Sequence, residues 1–152
     1  MRLREWTYED GLFSYGQRIA AGDILSDDSR SEYMRLKDCW RELYGWNARL
    51  MPPRMRARRF ARMMKGLRHW FELEAQTLRF TPSASQERAG IAQMFAEVGH
   101  MGTVKAMAEK FSMDPDAVLR WEWAKVYGIL LADLREYEYE QRYARQMNHG
   151  RG

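Results

Sequence analysis

The chain has a single cysteine, Cys39, among its 152 residues. It therefore carries no intramolecular disulfide framework and no cysteine cluster for zinc or iron–sulfur, and a reducing cytoplasm is the expected setting. No run approaches the roughly 18 uncharged residues that a membrane-spanning helix needs. The first residues, MRLREWTYEDG, lack the apolar segment of a secretion signal, so neither export nor a membrane partner is expected. No alternating period-two run of useful length occurs, which argues against a sheet, and there is no internal repeat or low-complexity segment. The signatures GxxxxGK, GxGxxG, GxSxG and HExxH are all missing. His69, His100 and His149 have no acid or cysteine at a ligand or triad spacing. No catalytic residue, metal, cofactor or small-molecule substrate is expected, and the chain reads as a non-enzyme.

What remains is a globular composition. Hydrophobic residues make up 45% and aromatics 13% of the chain, with 11 Met and 6 Trp, which suits a core of large, adaptable side chains. The length is that of one domain, residues 1–148, with 149–152 as a disordered tail. The net charge is only +4, but it is unevenly spread. Residues 54–68 hold seven basic side chains and no acid, whereas residues 114–140 hold seven acids against Arg120, Lys125 and Arg135. The middle of the chain is basic and its end acidic.

Apolar spacing and cap residues predict an all-α, single-domain bundle of about six helices. A first helix over 7–21 would be capped by Thr7, carry Leu12, Phe13, Tyr15 and Ile19, and stop at Gly22. A second runs from Ser31 to Gly45, with Gly45 as its left-handed terminator. Pro52 and Pro53 open a third, reaching about Leu78 and burying Ala57, Phe60, Met64, Leu67, Phe71, Ala75 and Leu78. Its opposite face, Arg58, Arg62, Lys65, His69 and Glu72, is solvated. Ser83 and Gln86 are spaced as a capping box for a helix with Ile91, Met94, Phe95 and Val98 on its apolar side, ended by Gly99. A short helix over 103–111 follows. Asp114 and Pro115 then start a last helix of about 30 residues with the stripe Leu119, Trp123, Val126, Leu130, Leu134 and Tyr137.

Two features carry functional expectations. Residues 104–123 have helix-turn-helix spacing, with Ala108 fifth, Ser112 at the turn and Val118 fifteenth. The start of its second helix, however, presents Asp114 and Asp116, which phosphates repel and which serve better as caps. The segment reads as a structural corner. If it did read duplex DNA, Arg120 would have to act with the basic helix, through Arg54, Arg58, Arg59, Arg62 and Lys65, to grip the backbone.

The run GTVKAMAEKFSMDPDAVLRWEWAKVYGILLADLREYEYEQRY, residues 102–143, resembles the C-terminal region of phage tail assembly chaperones. There a short helix ending in A-E-K-aromatic is followed by an acidic-proline start, a Val-Leu pair, an aromatic position and a long helix closing on E-Y-E-x-R. Ser112 stands where a glycine is common. The resemblance implies a non-enzymatic phage or prophage assembly protein that binds a helical polypeptide client, the tape-measure protein. Such work asks for adaptable apolar side chains at the surface. Met51, Met55, Met63, Met113, Trp46, Trp121 and Tyr127 are the candidates for it.

Overall fold

The computed structural model describes residues 11–150. They form seven α-helices: α1 Tyr15–Ser26, α2 Glu32–Tyr44, α3 Pro53–Thr77, α4 Ala84–Arg88, α5 Ile91–Phe111, α6 Pro115–Leu119 and α7 Trp123–His149. A 3-10 turn, Ala48–Leu50, links α2 to α3. The class is all-α, as the periodicity predicts. Among the described residues no helix is long and apolar enough to cross a membrane.

Where local chemistry is strong, the boundaries follow it. Ser31 accepts from the Met34 amide to open α2, and Gly45, at φ +75°, closes it. Pro53 sits in the first turn of α3. Ser83 and Gln86 form the capping box of α4. Gly90, at φ +77°, then separates α4 from α5, and Gly99 interrupts α5 with φ +51° and ψ −141°, so the break expected at Gly99 is a bend. The apolar side expected there is left open, with Met94, Phe95 and Val98 exposed. At the other end α7 takes in His149, which the sequence reading assigns to the tail.

The larger departures share one cause. The start expected at Thr7 lies outside the described residues, and α1 begins instead at Tyr15, behind a capping box made by Ser14 and Gln17. Gly22 lies within it. Residues 11–15 run antiparallel to residues 121–124: Tyr15 N donates to Trp121 O at 2.8 Å, Trp123 N to Phe13 O at 2.7 Å and Ala124 N to Gly11 O at 3.0 Å. Amide groups that a new helix leaves without intrahelical partners are thus satisfied by distant carbonyls. Glu122, at the N-cap of α7, makes no side-chain capping bond. This pairing splits the expected 30-residue helix into α6 and α7.

Gly11 is required at the crossing. Its φ is +62°, and an added Cβ would stand 2.3 Å from the Trp70 ring and 2.9 Å from the Ala124 Cβ. Around it the core gathers Phe13, Tyr15, Trp40, Met63, Leu67, Trp70, Trp123 and Val126. Phe13 and Tyr127 each meet Trp70 nearly edge-on, at 6.3 and 5.4 Å. Val104, Ala108 and Val118 are all buried, so the helix-turn-helix positions pack as their spacing predicts. Ser112, in the turn, adopts the left-handed φ of +52°.

Gly11→Ala should therefore lower stability by about 2–5 kcal/mol, the sum of a left-handed non-glycine residue and an overpacked ring contact. Ser112→Gly should raise it by about 1 kcal/mol by removing the same backbone strain. Urea unfolding followed by tryptophan fluorescence checks both. Cys39 is fully buried, and burial, with Glu42 adding to it, pushes its thiol up to about 12. A thiol-reactive disulfide reagent at mildly alkaline pH should leave the native protein unlabelled and react in urea; rapid native labelling would contradict the core placement.

Candidate functional site: a trough along the basic helix

Helix α3 is used on two sides. Toward α2, Phe60 meets Trp40 at 6.0 Å and Tyr33 at 6.5 Å. Toward the N-terminal segment and α7, Trp70 packs as described, and the Thr77 and Tyr127 hydroxyls meet at 2.8 Å. The buried set is Phe60, Met63, Gly66, Leu67 and Trp70. This corrects the expected stripe: Met63 and Trp70 are core, whereas Ala57 and Ala75 are exposed and Met64 and Phe71 half-buried. Two packing partners on different sides rotate the core face away from the Ala57–Met64 row.

That row becomes the base of a groove of about 930 Å³ between α2 and α3, floored by Leu25, Leu36, Ala57, Phe60, Ala61 and Met64. Glu32, Tyr33, Arg35, Arg56 and Arg68 form its rim. A second hollow of about 470 Å³ shares Ala61, Met64 and Arg68 with the first and extends to Lys65, His69 and Glu72. Together they make one trough along α3 from Pro53 to Glu72, ~28 Å at ~1.5 Å per residue, or about five turns of a docked helix. Ala57 and Ala61, four apart on one face, make it shallow enough for a helix backbone to approach.

Local contacts hold the walls. Arg56 Nη1 donates to the Tyr33 hydroxyl at 2.7 Å, tying α3 to α2. Arg35 Nη1 donates to Leu25 O at 2.9 Å and to Asp28 at 3.2 Å, fixing α2 to the end of α1. The side chains of Lys65 and Arg68 make no hydrogen bond or ion pair with another described residue. Their charge is available at the trough, beside apolar floor.

A second polar cluster has a different character. Arg18 donates to both oxygens of Glu74, Nε at 3.1 Å and Nη2 at 2.5 Å. Its guanidinium lies 4.7 Å from the Phe71 ring centre and 5.6 Å from that of Trp123. The Tyr15 hydroxyl meets His100 Nδ1 at 3.2 Å. Burial raises the Tyr15 pKa and lowers that of His100, so both stay neutral near pH 7, and Arg18 and Glu74 saturate each other. This is a tie between α1, α3, α5 and α7. Among the described residues no group of three or more His, Cys, Asp or Glu side chains is placed to hold a metal ion.

The residues singled out from sequence are scattered. Met63 is 1% exposed, and Met51 is buried too. Neither offers a surface contact, because the face of α3 that carries Met63 turns inward and Met51, which closes the 3-10 turn, belongs to the core. Tyr127 is half-buried between Trp70 and Trp123, and half-buried Trp121 lies under Lys125, 4.0 Å from its ring centre. Trp46, Met55 and Met113 are exposed on three different segments. Arg54, Arg58, Arg59, Arg62 and Lys65 are all exposed along α3. Arg120 ends α6, a helix of only five residues whose first turn is capped by the Asp114 carboxylate. Sequence reasoning missed Tyr33, Leu36, Arg35 and Ala61; the Ala57–Ala61 pair amid arginines was the one local signal of a groove.

No protein family, curated protein or solved structure matches the chain. Glu74→Gln leaves the enclosed Arg18 guanidinium without a countercharge, and should cost about 3 kcal/mol of stability. Thermal unfolding of the two proteins at equal concentration checks this; a near-neutral substitution would contradict the assigned tie.

Proposed function

We propose that the chain is a non-enzymatic phage or prophage assembly protein, of the tail assembly chaperone kind that residues 102–143 resemble. It holds a helical polypeptide client in the trough between α2 and α3. The observation that carries this reading is the trough itself, about five helical turns long, with an apolar floor of Leu25, Leu36, Ala57, Phe60, Ala61 and Met64 in its first part and Arg35, Arg56, Lys65 and Arg68 along it. An amphipathic helix lays its apolar face into such a groove, and carboxylates beside that face meet the cations. The client class is thus an amphipathic helix with an acidic border, and the tape-measure protein is the client the resemblance implies. The five-residue α6, opening on Asp114 and Asp116, gives less support to major-groove readout, which needs donors at that helix start.

The test is fluorescence anisotropy with a labelled synthetic helix bearing a Leu/Phe row flanked by glutamates. Micromolar binding is expected, weakened at least tenfold by Ala61→Glu or Arg68→Glu, both at exposed positions that leave the fold intact. Absence of binding, or equal binding by Ala61→Glu, would overturn the reading. Labelled random-sequence duplex DNA is the parallel probe. Affinity for it that falls linearly in log–log with salt and drops on Arg58→Glu/Arg62→Glu would replace the client reading with a DNA-binding regulator.

A further inference from the structure

The molecule carries, at its other end, a helix with the properties that the trough selects. From Tyr139 onward every residue of α7 is exposed, ~16 Å of helix standing clear of the body. Tyr139, Tyr143 and Met147 are 62%, 54% and 49% exposed and, spaced by four, form one apolar row. Glu136 and Glu140 fall on the same side of the helix as that row. Like the side chains of Lys65 and Arg68, their carboxylates make no hydrogen bond or ion pair with another described residue. Glu138 differs, being held by Arg135 at 2.8 Å. An apolar row bordered by two uncommitted carboxylates thus faces solvent on one end of the chain. A trough with an apolar floor and two uncommitted cations, Lys65 and Arg68, beside the carboxylates of Glu32 and Glu72, faces solvent on another.

The two cannot meet within one molecule. Helix α7 runs along α3 in the same sense, since Tyr127 contacts Trp70 and Thr77 while Tyr137 lies 5.7 Å from Phe80. It leaves beyond the C-terminal end of α3, as an uninterrupted helix to His149, whereas the trough occupies the part of α3 from Pro53 to Glu72. The geometry points to a second copy: the projecting end of α7 from one molecule docks in the α2–α3 trough of the next, with Tyr139 and Tyr143 on the Ala57–Ala61 floor and Glu136 and Glu140 toward Lys65 and Arg68. Such a contact joins two different surfaces, so it is head-to-tail, and it occupies the trough until a client displaces it. The inference rests on the trough being a helix-binding site, and it adds what fills that site when no client is present.

Sedimentation velocity over a range from low micromolar to millimolar protein tests it, with three proteins of the full chain. Wild type should associate with concentration. Lys65→Glu/Arg68→Glu, lacking the trough charge, and Tyr139→Ser/Tyr143→Ser, lacking the docking row, should each weaken association at least tenfold. Mixed together, these two variants should form a one-to-one dimer that grows no further, because the mixture holds one intact trough and one intact α7 end. A wild-type monomer throughout, or a mixture that fails to pair, would overturn the inference. So would association that the tyrosine variant abolishes and the trough variant leaves intact, the pattern of α7 ends pairing with each other. Anisotropy with the synthetic helix separates the two levels. Peptide binding by a protein that stays monomeric removes only the self-docking, whereas loss of both removes the trough reading as well.

Discussion

The fold depends on a short antiparallel pairing between two segments far apart in the chain. Three backbone hydrogen bonds join residues 11–15 to residues 121–124, and each satisfies a polar group that the surrounding apolar rings would leave unpaired. The pairing sets where α1 begins and where α7 begins. It brings Tyr15 and Trp123 to 5.1 Å and lays Gly11 against Trp70. A glycine is the only residue that fits there, because both the left-handed backbone and the closeness of the indole exclude a side chain.

From that crossing the arrangement of α3 follows. The helix must cover Trp40 on one side and the Gly11–Trp123 crossing on another, so its buried arc swings toward Met63 and Trp70. A helix has one circumference, and the arc gained on that side is lost on the Ala57–Met64 side. The trough is thus the uncovered remainder of an amphipathic helix drawn into two packing layers. The α2 wall rises beside it because Arg56 and Arg35 are anchored to Tyr33, Asp28 and the end of α1.

The cations divide along the same line. Arg18, Arg30, Arg35 and Lys110 are each paired with a carboxylate that ties one segment to another. Lys65 and Arg68 border the trough without such a partner, and the acids of the α7 end balance them in sign at the far side of the molecule. Opposite charges are thus concentrated on separate surfaces of a chain whose net charge is +4. A surface of that kind favours association with something of opposite pattern over association with itself face to face.

The local sequence determined what local chemistry can decide. Ser31, Gly45, Pro53, Ser83 and Asp114 each act within a few residues of where they stand, through a cap, a left-handed turn or a missing amide, and the helix ends at those points were legible. So was the packing of Val104, Ala108 and Val118, because one small and two branched residues at that spacing can close only one kind of corner. The start of α1, the break before α7, the burial of Met63 and Trp70 and the trough were decided by tertiary structure. Each depends on a hydrogen bond or a ring contact between residues far apart in the chain. A helix period measures the width of an apolar face but not how many neighbours will share it. For that reason the arginines of α3 were visible in the sequence as charge, and only the packed molecule turned part of that charge into the rim of a site.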